Sequence, residues 1–471
     1  MKLRHSLVFI GILVSSVAGT GHGQDDVFGE LPGSKGDTIC CISVDVPTLE
    51  RAKELYALGV GSGNVGTTAV PFSDSLFVQL KDRAFDMVLT CFELVDQAIL
   101  GKGIWRTHLG LRSRTEPARP VLARFKEEVL GKEPDWRIVF LDKDLTAITT
   151  EQYGAVTISK HAQYVGIYRQ DVDSRQKPVG KWGVFHRSGQ RRGGVDVSVV
   201  YDVAPSWILL SDAGNWAQFN QLHELEVLFY EKGGELLKKI SVREEDAFLL
   251  QTHADFSSDG QYLALQVMAN AERQDGSRPI NEVMVFSSEG KEIWRFVPDE
   301  QLNNHSCISI AENASYVISS FSESDHASKR FPTSVTYLLN KQGRVIRKMN
   351  DFSPSRVKFS PSRKYAVLFD PGEGIRLLQL PSGKTVFHYD SNTPLRDFDL
   401  AEHGELVGVL GHGHVLLLDF DGKTLWRLYL PRLGPASANH IVSLSEDGKE
   451  MSLTVGNEFH VYRRVKFDLK D

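Results

Sequence analysis

The chain has 471 residues, a net charge of −6 with both signs interspersed, and hydrophobic and charged fractions of 41% and 24%, the composition of an ordinary soluble protein. Its length admits one large domain and a small one. An acidic balance without a concentrated basic face argues against a nucleic-acid partner.

Lys2, Arg4 and His5 precede an apolar run over residues 7–13, and small residues follow at Ser15, Ala18, Gly21 and Gly23. This order of charge, apolar run and small residues predicts a secretory signal peptide over 1–23. The run falls short of the ~18 to 20 residues that span a bilayer. No cysteine stands at the cleavage zone to take a lipid anchor, and no later stretch has the length and apolarity of a membrane span. The mature chain is therefore expected to be exported, periplasmic or secreted, with no transmembrane segment.

Residues 24–130 read as a side domain or cap of mixed or helical character. A helix is expected over 47–58, with Asp45 as cap and Gly59 as stop. Over 74–100 Leu76, Leu80, Met87, Cys91, Leu94 and Ala98 recur at helical spacing, and a helix is the expectation, although 88–92 also suits a strand. A loop at 113–120 is predicted to lead into a helix over 121–130. Cys40, Cys41, Cys91 and Cys307 are too few for a disulfide scaffold and lack zinc-binding spacing. Export permits a bridge from Cys40 or Cys41 to Cys91, and buried thiols are the other reading.

From Val156 to Phe467, within an expected propeller domain over 131–471, one pattern recurs about seven times: a β-prone run, a short polar turn, an aromatic, a second β-prone run, a Gly turn and another β-prone run. Clear copies are Phe256-Ser-Ser-Asp-Gly-Gln-Tyr262 and Phe359-Ser-Pro-Ser-Arg-Lys-Tyr365. Taking Tyr164, Trp207, Tyr262, Tyr316, Tyr365, Leu406 and Glu450 as register marks, the spacing is about 48 residues, in the range of four-stranded propeller blades. Short strands joined by tight turns without an intervening helical period exclude a parallel α/β fold. Such sheets must stack to bury both faces. The predicted fold is mainly β, a β-propeller of about seven four-stranded blades. The last copy ends after three strands, and the strand pair at 137–148 is predicted to complete it, removing an exposed edge.

Asp421-Gly-Lys-Thr-Leu-Trp426 and Glu289-Gly-Lys-Glu-Ile-Trp294 resemble the outer-strand motif of quinoprotein-like (PQQ-like) propellers, and the turn before Tyr262 resembles that of bacterial WD-repeat-like propellers. The resemblance covers the C-terminal two thirds and implies fold. No Gly-His of the chain is accompanied by a closing Trp-Asp pair, so the repeat is not a regular WD repeat. It also lacks an acidic metal set by which a quinone-cofactor site is carried over.

Gly61-Ser-Gly-Asn-Val-Gly66 spells a dinucleotide fingerprint, but a predicted helix precedes it where the mechanism needs a strand, so it reads as a loop. Gly411-His-Gly-His414 reads as a turn, since no carboxylate or Cys stands nearby as a further metal ligand. No catalytic set, metal site or cofactor is assigned. His253, His305, Arg356, Asp397 and His440 stand near the entry of the first strand in five successive copies. In a propeller such positions gather around the channel on one face, where loops from several blades meet one ligand. They are the candidate ligand-binding residues, suited to a carboxylate-bearing or peptide ligand. The expected function is an exported, non-catalytic binding or scaffold module for a protein, peptide or glycan partner. The alternative is a propeller-type enzyme, a quinoprotein-like dehydrogenase or a lyase, with its site at the channel.

Overall fold

A computed structural model describes residues 38–45, 67–70, 88–99, 104–109, 120–126, 136–141, 147–152, 155–172, 178–198, 206–220, 225–242, 247–271, 278–299, 304–322, 334–391, 393–429, 440–455 and 458–468. Among them, strands form seven four-stranded antiparallel sheets and one six-stranded sheet, and the only helical turn is Glu312–Ala314. Every four-stranded sheet is a meander whose strands neighbour one another in chain order. The fold is a β-propeller with seven four-stranded sheets, matching the predicted count.

The chain divides into two compact units, one of Met1–Thr107, Leu111–Arg119 and Tyr389–Asp471, the other of His108–Gly110 and Pro120–His388. The second unit carries sheets spanning 155–198, 206–241, 247–296 and 304–349, with those at 104–152 and 356–390 at its boundaries. Its core lies between consecutive sheets. Phe219, Val227 and Phe229 meet Leu263, Leu265 and Met284, and Val283, Val285 and Trp294 meet Ile310, Val317 and Leu339. The first unit carries the 395–429 sheet and the six-stranded sheet, which share a core of Leu410, Leu417, Trp426, Leu444, Met451 and Tyr462.

The turn between first and second strands explains the repeat. The Ser159, Ser257, Ser360 and Ser445 amides donate to the carbonyl five residues on. The same serines' Oγ atoms accept the amides of Tyr164, Tyr262, Tyr365 and Glu450 at 2.8–3.1 Å. The third residue after each serine is left-handed, at φ 54° in Ala162, 68° in Gly260, 62° in Arg363 and 67° in Gly448. In the sheets over 155–198, 206–241, 247–296, 304–349 and 395–429, third and fourth strands are joined by a tighter turn with a bulge and a left-handed glycine. At Gly343 (φ 74°) an added Cβ would also lie 2.8 Å from the Trp294 ring.

Several expectations are corrected. Trp207 belongs to the first strand Ser206–Leu210, and Trp216 holds the post-turn position, buried and stacked 3.9 Å from Tyr230. The turn is Ser211-Asp-Ala-Gly214, which puts Trp207 one strand before the register position. Within 74–100 the described residues form the strand Val88–Ile99, and Pro120–Lys126 is a strand where a helix over 121–130 was expected. The reason is pairing: Val88–Ile99 lies along Glu458–Asp468, and Pro120–Lys126 along Trp136–Leu141. Edge hydrogen bonding overrides a local helical period. The C-terminal copy does end after three strands, but Val88–Ile99 completes it, while 137–148 belongs to the 104–152 sheet. The predicted helix at 47–58 and the Gly61–Gly66 motif lie outside the described residues.

Candidate binding face

Antiparallel pairing gives each sheet two unlike ends. The start of the first strand lies opposite the end of the second: Ala247 pairs with Ala271, Asn304 with Ser322, Arg356 with Phe369, Leu395 with Gly411 and His440 with Val455. The end where the first strand enters is thus the end from which the chain crosses to the third strand. The opposite end carries the stereotyped tight turns. Strand lengths vary toward the entry end. Tyr262–Ala271 and Arg278–Ser287 have 10 residues each, Tyr164–Val172 and Pro178–His186 have 9, and Trp216–Asn220 and Glu226–Tyr230 have 5.

The five candidates occupy different settings. The first strands bearing His253, His305 and Arg356 adjoin one another in sequence order within one unit. His253 is an interior residue of its long strand Ala247–Phe256 rather than an entry residue, is opposite Gln266 and is half-buried. Burial pushes its imidazole pKa down from the ordinary value. His305 pairs with Phe321 beside a bulge. Arg356 opens its strand, is exposed, and holds its guanidinium 4.5 Å from the ring centroid of Phe369. In the other unit His440 opens its strand, and buried Asp397 accepts the Val442 amide at 3.1 Å, two residues along from His440. Asp397 therefore fastens one sheet to the next.

A network of buried polar groups supports the entry end. Gln266 Nε2 donates to the Ser320 carbonyl at 3.0 Å. Thr336 Oγ1 contacts Ser320 Oγ at 2.9 Å and the Phe352 carbonyl at 2.8 Å. Arg376 is buried, lies 4.8 Å from the Phe352 ring centroid and pairs with Asp351 at 2.9 Å. The segment entering the 356–390 sheet is thereby tied to the preceding sheet and to its own third strand.

Sequence reasoning missed a set of carboxylates that cross from sheet to sheet. Asp255 Oδ2 accepts Ser309 Oγ at 2.9 Å and the Ile310 amide at 3.0 Å. Asp399 Oδ2 accepts Ser443 Oγ at 3.1 Å and the Leu444 amide at 2.7 Å. At the turn end, Asp259 accepts the Asn313 amide, and Asp212 accepts the His161 amide at 3.0 Å and its Nδ1 at 2.9 Å. Burial alone pushes the Asp212 carboxyl up, but the His161 hydrogen bonds and charge outweigh it, and the pKa falls below the ordinary 3.8. A signal was present in the sequence: an acid just before the first-strand end, and a Ser-apolar pair one copy later.

Among the described residues no group of three or more His, Cys, Asp or Glu side chains is placed to hold a metal ion, and no helix is long and apolar enough to cross a membrane.

No family model matches the chain, and no curated protein matches it. Solved structures do. The chain is similar to BamB from Moraxella catarrhalis at 10% identity and TM-score 0.47, over 79% of this chain and 99% of that one. It is similar to Saccharomyces cerevisiae Sqt1 at 10% identity and TM-score 0.49, over 79% and 98%. The C-terminal WD40 domain of Sif2 matches at 10% identity and TM-score 0.44, over 77% and 97%. At these identities the likeness concerns fold alone.

Proposed function

We propose that this chain is an exported binding or scaffold module that engages a protein, peptide or glycan partner at the entry end of the sheets in its second unit. The observation that supports this reading is the asymmetry of the sheets. Tight turns of one design close one end, while the other varies between 5-residue and 10-residue strand pairs. A rigid repeated frame that varies at one end suits recognition, because binding residues concentrate on segments held by a fixed scaffold. Within that unit His253, His305 and Arg356 are the proposed ligand contacts; in the other unit Asp397 positions the strand of His440.

The test uses the chain from residue 24 onward to capture partners from native envelope extract or medium. It is compared with a variant carrying His253→Ala and Arg356→Ala. The expected result is a saturable partner that the folded double variant binds at least tenfold more weakly, with hydrogen-exchange protection at strand residues of the entry end in that unit. Equal affinity of both proteins, or protection confined to the tight-turn end, overturns the proposal.

A further inference from the structure

Thr38–Asp45 and Val88–Ile99 pair antiparallel in a register that sets Ile39 opposite Phe92, Cys40 opposite Cys91 and Cys41 opposite Thr90. Residues directly opposite in an antiparallel pair have Cα atoms about 4.5–5.5 Å apart, inside the roughly 4.4–6.8 Å that a disulfide requires. The register therefore meets the spacing demand at one cysteine pair. Cys41 is placed on the other face of its strand, because successive strand residues alternate. Cys307, the remaining cysteine, is buried within its own sheet, and burial pushes its thiol up to about 12. A thiol so far from its thiolate takes little part in exchange.

We propose that Cys40 and Cys91 form a cross-strand disulfide that staples Thr38–Asp45 to Val88–Ile99, the strand that completes the C-terminal sheet. Each thiol loses one proton and one electron as the sulfur–sulfur bond forms. An incoming low-molecular-weight or protein disulfide takes up both electrons and leaves as two thiols, after passing through a mixed disulfide with one of the cysteines. Val88–Ile99 bonds Thr38–Asp45 on one side and Glu458–Asp468 on the other. The staple thus braces the strand on which closure of the last three-stranded copy depends, and closing a loop of about 50 residues restricts the unfolded chain. Its oxidised state in the cell rests on the export reading; the register does not.

The purified full chain is equilibrated in glutathione buffers of graded oxidised-to-reduced ratio, alkylated, digested and mapped, as wild type, Cys41→Ser and Cys40→Ser. A linked peptide joining the 40–41 region to Cys91 is expected in wild type and in Cys41→Ser, splitting on reduction, and absent from Cys40→Ser. A link lost in Cys41→Ser and kept in Cys40→Ser overturns the assigned register, and no link in any protein at any ratio overturns the staple. These outcomes do not depend on compartment. Chain that forms the link in buffer but is recovered fully reduced from cells counts against export instead.

Discussion

Asp255 and Asp399 perform the same task in the two units under different conditions. Each is a first-strand carboxylate whose Oδ2 accepts a serine hydroxyl and the following amide on the next sheet. Asp399 is 4% exposed, whereas the Asp255 side chain is 23% exposed and has Lys160 Nζ at 3.5 Å. Water reaches one fastening and not the other. The difference teaches that a recurrent residue has no fixed worth: the penalty for unmade hydrogen bonds depends on whether solvent can replace the lost partner.

The largest effect follows from removing the buried member. Asp399→Ala is expected to cost about 3 kcal/mol, since it strands the Ser443 hydroxyl and Leu444 amide away from water. Asp255→Ala, where water can substitute, should cost about 1 to 2 kcal/mol. Urea denaturation of both full-length variants measures the pair, and equal losses would break the comparison. Asp399→Asn, which keeps an acceptor oxygen, should recover about half of the alanine loss.

A smaller effect sharpens the same contrast through pH. The folded-state pKa of Asp212 lies below its ordinary 3.8. The stability it contributes is therefore fully present above that value and is lost as pH falls through the lower folded-state pKa. Asp212→Asn should cost about 1 kcal/mol at neutral pH and flatten the acid limb of a stability-against-pH curve. A variant that keeps the wild-type limb would show that another carboxylate governs it.

The smallest expected change is a gain. Ala162 holds φ 54° at the turn position that Gly260 and Gly448 occupy elsewhere. Ala162→Gly should add up to about 1 kcal/mol by relieving left-handed strain. Gly260→Ala should destabilise, because its Cβ would lie 2.6 Å from Ser211 Oγ. Thermal melts of the two variants should move in opposite directions.

The legible parts of the fold were those with a short-range cause. The turns after Phe256 and Phe359 could be read because a serine, a left-handed residue and an amide five positions on interact within a few residues. In the 206–241 sheet two tryptophans, Trp207 and Trp216, flank the turn, and only packing against Tyr230 tells them apart. Of the candidate residues, Arg356 and His440 stand at strand openings. His253 stands inside its strand, which begins at Ala247, and the extra length before the histidine has no counterpart in the local pattern. The hydrogen bond by which Asp397 accepts the Val442 amide is invisible without the neighbouring sheet.

By itself the sequence determined the repeat, the strand class and the tight turns, because these depend on interactions within a single hairpin. Only the tertiary structure decided that Val88–Ile99 forms a strand, that it rather than 137–148 completes the C-terminal sheet, and which acids cross between sheets. An unpaired edge or a buried amide one copy away is a partner distant in sequence. Its hydrogen bonds can overrule a local period, so the outcome depends on the assembled sheets rather than on any one segment.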